Sequence, residues 1–300
     1  MQRIGLLLLG FCASGMRPIA AQEATGTTLW RVAAATVPTP AALAVGPIAA
    51  LWNPAQRTDS GRVILALDVI QTPPTVDASG VITTVRVPAK NIGELGLIYG
   101  RVGLSDISQT MDSPDPTGVV VPVYTFALGG TWSRRFGSTD LGATVAFHQT
   151  RLDTQRSERM TFDIGATHTF SDVLRIAAAT HFFSSLSVDD PSQDLYGGIE
   201  ARVWQGKLSG ERAVLRGRYG IAFGHGFQAD HQLGIGAEFA KTFTFDFLVA
   251  HEGSYGAESG WRPVAGARIT IGKYNLTLAR DGGVNDVGAA YRVGIDARFK

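Results

Sequence analysis

The sequence predicts an all-β fold, a fourteen-stranded antiparallel transmembrane β-barrel with a short amino-terminal plug. Three observations predict it. From about residue 61 onward, segments of roughly ten residues alternate apolar and polar side chains, the period of a strand whose successive Cβ atoms point to opposite faces. The connections between them alternate in length, long then tight. Of 300 residues 45% are hydrophobic and 36 are glycine, yet beyond the amino-terminal leader no stretch is long enough for a membrane helix.

The leader, MQRIGLLLLGFCASGMRPIAA, has a basic start at Arg3, a short apolar run and small residues at Ala20 and Ala21. Residues 1–21 therefore read as a secretory signal peptide cut before Gln22. Cys12 follows Phe11 rather than the small residue of a lipid-attachment signal, so lipidation is not expected. After cleavage no cysteine remains, which excludes a disulfide scaffold, a thiolate metal site and a cysteine nucleophile. With 27 basic and 26 acidic residues the formal charge is +1, and no nucleic-acid partner is expected.

Residues 22–60 do not alternate. Thr39 can cap, Pro40 suits a first helical position, AALAV supplies about a turn, and Gly46-Pro47 ends it. A second turn, IAALW, stops at Asn53-Pro54. The segment is too apolar for a tail and too broken for a strand, so it is expected inside the barrel, with Trp52 and the alanines against the inner wall.

The barrel is expected over residues 61–300, with strands near 61–70, 81–87, 92–102, 121–135, 140–150, 159–170, 173–183, 195–205, 211–223, 229–240, 242–251, 261–271, 273–280 and 287–299. Connections such as QTPPTVDASG, GLSDISQTMDSPDPTGVV, RLDTQRSE, SSLSVDDPSQD and EGSYGAESG are long; PAKN, FGSTD, SD, GKLSG and single residues are tight; GHGF breaks the trend. Long loops on one rim and short turns on the other describe an outer-membrane barrel. A soluble sandwich also alternates, but it would need to hide its apolar faces between two packed sheets. In a bilayer the sheet must instead close, because every backbone polar group needs a partner within the protein. The carboxyl-terminal YRVGIDARF alternates to its end because it must pair with the first strand while its outer face meets lipid.

Here a resemblance enters. AALWNPAQ, holding Trp52, Asn53 and Pro54, resembles the signature that closes the amino-terminal hatch of FadL-type transporters and of the PorV/PorQ group. TWSRRFGSTDLGATVAFHQT and TFDIGATHTFSDVLRIAAATHFFSS are similar to the PorV/PorQ strand pattern. The resemblance implies an outer-membrane protein that passes small hydrophobic molecules without energy coupling of its own. The alternative it implies is a non-transporting accessory that associates with a secretion system. The final aromatic, Phe299, resembles the signal read by the barrel-assembly machinery, although Lys300 follows it.

Candidate lumen charges are Arg202, Arg212, Arg216, Arg218, Arg268, Arg292 and Arg298, facing Glu200, Glu238, Asp246 and Asp296. Such ladders are expected to pair and hold the lumen or its plug, since an ion-selective ring needs unbalanced charge. Gly93, Gly96, Gly100 and Gly103 recur in the third segment, where glycine weakens a strand, and the FadL resemblance implies a lateral opening there. No cofactor, metal or catalytic set is expected. The six histidines mostly fall near the expected outer rim, His181 beside Ser184 and Ser185 forms no convincing hydrolase cluster, and SRRFGSTDLG lacks phosphate-loop spacing.

Overall fold

The computed structural model describes residues 29–58, 61–74, 77–105, 107–110, 116–184, 193–224, 229–252, 260–283 and 289–299. The signal-peptide segment, the first residues of the plug, His225, Ser185 and Lys300 lie outside them.

Fourteen strands form one closed antiparallel barrel: β1 (Val63–Gln71), β2 (Ala78–Ala89), β3 (Gly93–Leu104), β6 (Val123–Phe136), β7 (Thr139–Leu152), β8 (Gln155–Phe170), β9 (Leu174–His181), β10 (Asp194–Leu208), β11 (Glu211–Phe223), β12 (Ala229–Phe239), β13 (Phe243–Glu252), β14 (Gly260–Ile271), β15 (Tyr274–Asp281) and β16 (Tyr291–Phe299). Between β3 and β6, the long connection carries its own small hairpin of β4 (Ser108–Thr110) and β5 (Pro116–Val120). No helix among the described residues is long and apolar enough to cross a membrane.

The terminal strands close the wall. β1 pairs with β16 in unbroken register from Val63 opposite Phe299 to Gln71 opposite Tyr291. Along this seam Leu65, Leu67, Val69, Val293 and Ile295 are each 40% exposed or more, whereas Ile64, Ala66, Asp68 and Ile70 turn inward and are buried. Inward Asp68 pairs with Arg292 across the join. Gly294 lies opposite Asp68, and a Cβ there would overlap the Asp68 carboxylate, so the glycine is the socket for this pair.

Short turns at one rim use residues in the left-handed region: Ser209 and Gly210 at φ 51° and 84°, and Ala240 and Lys241 at 53° and 55°. These angles match the twist of hairpin strands. At the other rim the structure corrects one expected long loop. RLDTQRSE is mostly strand, because β7 and β8 continue pairing as far as Leu152 opposite Gln155, leaving Asp153 and Thr154 as the turn. Asp153 takes φ 53°, and the polar side chains mark a hairpin extending past the apolar band rather than a loop.

The lumen is filled by residues 29–58. Helix α1 (Leu29–Ala35) is followed by two 3₁₀ turns, Ala41–Leu43 and Pro47–Leu51, separated by Gly46 at φ 97°. The expected turns around AALAV and IAALW are thus 3₁₀ in form. The helix at LWRVAAA was not anticipated from sequence, although three consecutive alanines favour one. One apolar core joins plug and wall, with Trp30, Leu43, Ile48 and Trp52 packed against Ile70, Ile82, Ile98, Val102 and Phe182.

Candidate functional site: the plugged lumen

The hatch motif is the anchored end of the plug. Asn53 is fully buried; its amide donates to the Ala42 carbonyl (2.8 Å) and to Thr167 Oγ1 (3.4 Å), while its Oδ1 accepts from the Ala55 N–H (2.9 Å). Gln56 repeats the grip through Nε2, to the Ala42 carbonyl at 2.9 Å and Thr167 at 3.2 Å. The wall makes room with two glycines paired across β7 and β8: a Cβ on Gly142 would overlap the Pro54 carbonyl, and one on Gly165 would overlap Asn53 Oδ1. The stretches DLGAT and DIGAT therefore supply the socket of the Asn-Pro turn. Trp52, 1% exposed, packs against His181 at 5.1 Å between ring centroids.

Wall arginines donate to backbone carbonyls of the plug at four points. Arg86 reaches Gln56 (3.1 Å), Arg175 reaches Leu43 (3.1 Å), Arg268 reaches Val45 (3.1 Å) and Arg262 reaches Ala35 (2.9 Å). The broken plug leaves carbonyls that a regular helix would satisfy internally, and a guanidinium with five donors can satisfy one while holding an acid. Arg86 is also paired with Glu94, and Arg262 with Asp281 at 2.8 Å.

The predicted lumen charges divide. Arg216, Arg218, Glu238 and Asp246 come together with Glu200: Arg218 bonds Glu200 at 2.6 Å and also pairs with Asp246, and Arg216 bonds Glu238 at 3.1 Å. Arg268 joins Val45 and Thr277; Arg292 joins Asp68; Asp296 accepts from Asn275 at 2.7 Å. Arg202 and Arg212 stand apart from that network. Arg202 hydrogen-bonds Gln205 at 2.7 Å beside a bulge in β10, and Arg212 is exposed near the Ser209–Gly210 turn. Asp68, Arg86, Glu94, Arg175, Arg262 and Asp281 were missed in sequence; Asp68 and Arg86 are each the one charge of their strand, and the partners of all six lie on other strands or on the plug.

Two further expectations meet a different arrangement. At Gly93, Gly96 and Gly100 the wall is closed, with β3 paired continuously to β2 and to β6. Gly100 receives the Trp30 ring, which a Cβ would approach to 2.5 Å, and Gly96 lies against Arg86 and Thr131. These glycines give space to inward groups. Two histidines are not at a rim: His148 and His181 are 3% and 2% exposed, and both pack on Phe182, with ring centroids 4.2 and 3.7 Å away. Ser184 bonds Gln193 at 2.8 Å rather than His181.

No family model matches this sequence, and no curated protein does. Solved structures do. The Pseudomonas putida toluene transporter TodX is similar at a TM-score of 0.55, with 12% identity, over 88% of this chain and 96% of that one. A Pseudomonas aeruginosa FadL homologue is similar at 0.52, with 12% identity, over 87% of this chain and 96% of that one. At such identity the likeness is one of fold. The chain is a closed fourteen-stranded antiparallel β-barrel with residues 29–58 folded into its lumen, and in fold it is similar to these two barrels.

Proposed function

We propose that the protein sits in the outer membrane and lets small hydrophobic molecules cross it passively when the plug shifts. The observation that carries this reading is a lumen with two unlike sides. Between β1 and β3 the inward wall is mainly aliphatic, with Ile64, Ile70, Ile82, Ile98 and Val102 at 2% exposure or less beside the paired charges Asp68, Arg86 and Glu94, whereas β10 to β16 carry the denser network of ion pairs. Ile70, Ile82, Ile98 and Val102 pack against the plug, so a shift of the plug bares them to the lumen. A hydrophobic solute entering there exchanges contact with water for contact with these side chains, worth about 25 cal/mol per Å² of apolar area. The fold shared with a structure described as a toluene transporter supports the same reading.

Membrane placement is supported by the outer surface. Phe245, Phe247, Leu233, Ile235, Leu276 and Leu278 project outward across β12, β13 and β15 and are exposed. Aromatic groups flank this band: Tyr219 with His231 and His251 with Trp261 towards one rim, Phe243, Tyr274 and Phe299 towards the other. Such girdles mark the two membrane interfaces of outer-membrane barrels. Export by the leader and recognition of Phe299 by the barrel-assembly machinery complete the proposed route. The test is uptake of toluene and of a medium-chain fatty acid into liposomes carrying the purified protein. Uptake above protein-free vesicles supports transport. No uptake, with co-purification of secretion components instead, would replace it with the accessory role.

A further inference from the structure

One part of the plug is held differently from the rest. The segment Val37-Pro38-Thr39-Pro40 joins α1 to the first 3₁₀ turn, and two of its four residues have no N–H to donate. Val37 gives its N–H back to the Ala34 carbonyl at 3.0 Å. What seats the segment is shape. Pro38 fills a notch at Gly266, where a Cβ would meet its ring carbons at 2.5 and 2.8 Å, and Pro40 fills one at Gly220. The strap thus runs along one side of the lumen, from β11 to β14, with its prolines wedged in glycine notches. At the other end, Asn53, Gln56 and Arg86 hold the plug by directed hydrogen bonds.

The strap also separates two cavities. One, of about 60 Å³, is bordered by Asp194, Asp230, Gln232 and Arg262 towards the long-loop rim; the other, of about 40 Å³, is bordered by Asp246, Arg268, Thr277 and Arg292. Val37 and Thr39 border both. By this measure each holds about three to five waters. Their borders on β13 are Leu248 and Asp246, successive inward residues about 7 Å apart along the strand.

We propose that this strap gates a second path, for small hydrated ions, along the charged β11–β16 side and separate from the apolar wall. The borders carry both signs, and Arg262, Arg292 and Asp246 are each engaged in an ion pair, so the path selects only weakly by charge. Like-charge rings that would impose strong selection are not formed by these groups.

The test is conductance of single full-length barrels in planar lipid bilayers under a potassium chloride gradient, with folding verified by the faster gel migration of unheated protein. Val37→Gly removes a 6% exposed side chain from the strap and is expected to raise the time spent open on the order of tenfold. The pair Pro38→Cys with Gly266→Cys, in a Cys12→Ser background, starts with its two Cβ positions 2.8 Å apart, so with the proline ring gone the strap moves out by about 1 Å to take a disulfide across the notch. Oxidised, this protein is expected to be silent; reduced, it conducts again, with a reversal potential close to that of a non-selective pore. Folded Val37→Gly protein with no conductance above a protein-free bilayer would overturn the proposal, as would equal conductance of the oxidised and reduced pair. Toluene uptake measured on the same samples reports on the apolar path separately, so either path can fail without the other.

Discussion

Replacing Asp68 with asparagine tests the seam that closes the barrel. The Asp68 and Arg292 side chains are 8% and 9% exposed and pair with each other, one on the first strand and one on the last. Asp68→Asn keeps the size that the Gly294 socket accommodates but leaves a buried guanidinium without its counter-charge. Removing one partner of a buried pair costs about 3–5 kcal/mol. Arg292 borders a water-sized cavity, which partly solvates it, so the lower end applies, about 3 kcal/mol. That is roughly a hundredfold in the unfolding equilibrium. Arg292→Met added to Asp68→Asn removes the orphaned charge, and the cycle should return a coupling of at least about 2 kcal/mol. The assay is urea unfolding of barrels reconstituted in lipid vesicles, followed by gel migration of unheated samples. Asp68→Asn within about 1 kcal/mol of the parent, with no coupling to Arg292→Met, would refute the claim that this pair locks the seam.

Asn53→Ala removes a buried side chain's bonds to Ala42, Thr167 and Ala55, and should loosen the plug by about 1–3 kcal/mol while the barrel still folds, read as faster hydrogen exchange confined to residues 40–58. Gly165→Val drives a side chain into the position of Asn53 Oδ1 and should give the same exchange pattern, whereas Gly130→Val, on the outer face with open space around it, should leave exchange unchanged. Phe247→Arg puts a charge on the outer apolar face and should cost about 2–4 kcal/mol in the urea assay, against about 1 kcal/mol or less for Gln155→Arg, exposed at the end of the β7–β8 hairpin beyond the apolar band.

The barrel was legible in the sequence because its determinant is repetitive: every strand restates the same two-residue period, and the turns restate the connection parity. YRVGIDARF announces its pairing with the first strand by alternation alone. What escaped is what does not repeat. Helix α1 is short and gains its stability from burying Trp30 against Gly100 and Phe182, contacts far away in sequence. β7 and β8 run past their expected ends because polar residues pair as readily as apolar ones once a hairpin leaves the apolar band. The Asn-Pro turn was visible as a motif, but its socket was not, since Gly142 and Gly165 resemble any other strand glycine until their strands pair. Arg216 and Arg218 were legible as inward charges from the face they share. Arg202 lies beside a bulge, and Arg212 lies at a rim, positions that periodicity does not distinguish. Arg86, by contrast, falls in a segment whose other inward residues are Ile82 and Thr84, so nothing local flags it as the partner of both Glu94 and the plug.

Spin labels placed singly at residues 291 through 299, in protein reconstituted into liposomes, test the central claim most directly. Oxygen accessibility should peak at Tyr291, Val293, Ile295 and Ala297 and fall at Arg292, Gly294 and Asp296, because odd positions face lipid and even positions face the filled lumen. Equal accessibility along the scan, or exposure of both sets to a water-soluble nickel reagent, would mean that the last strand does not close a membrane-embedded barrel.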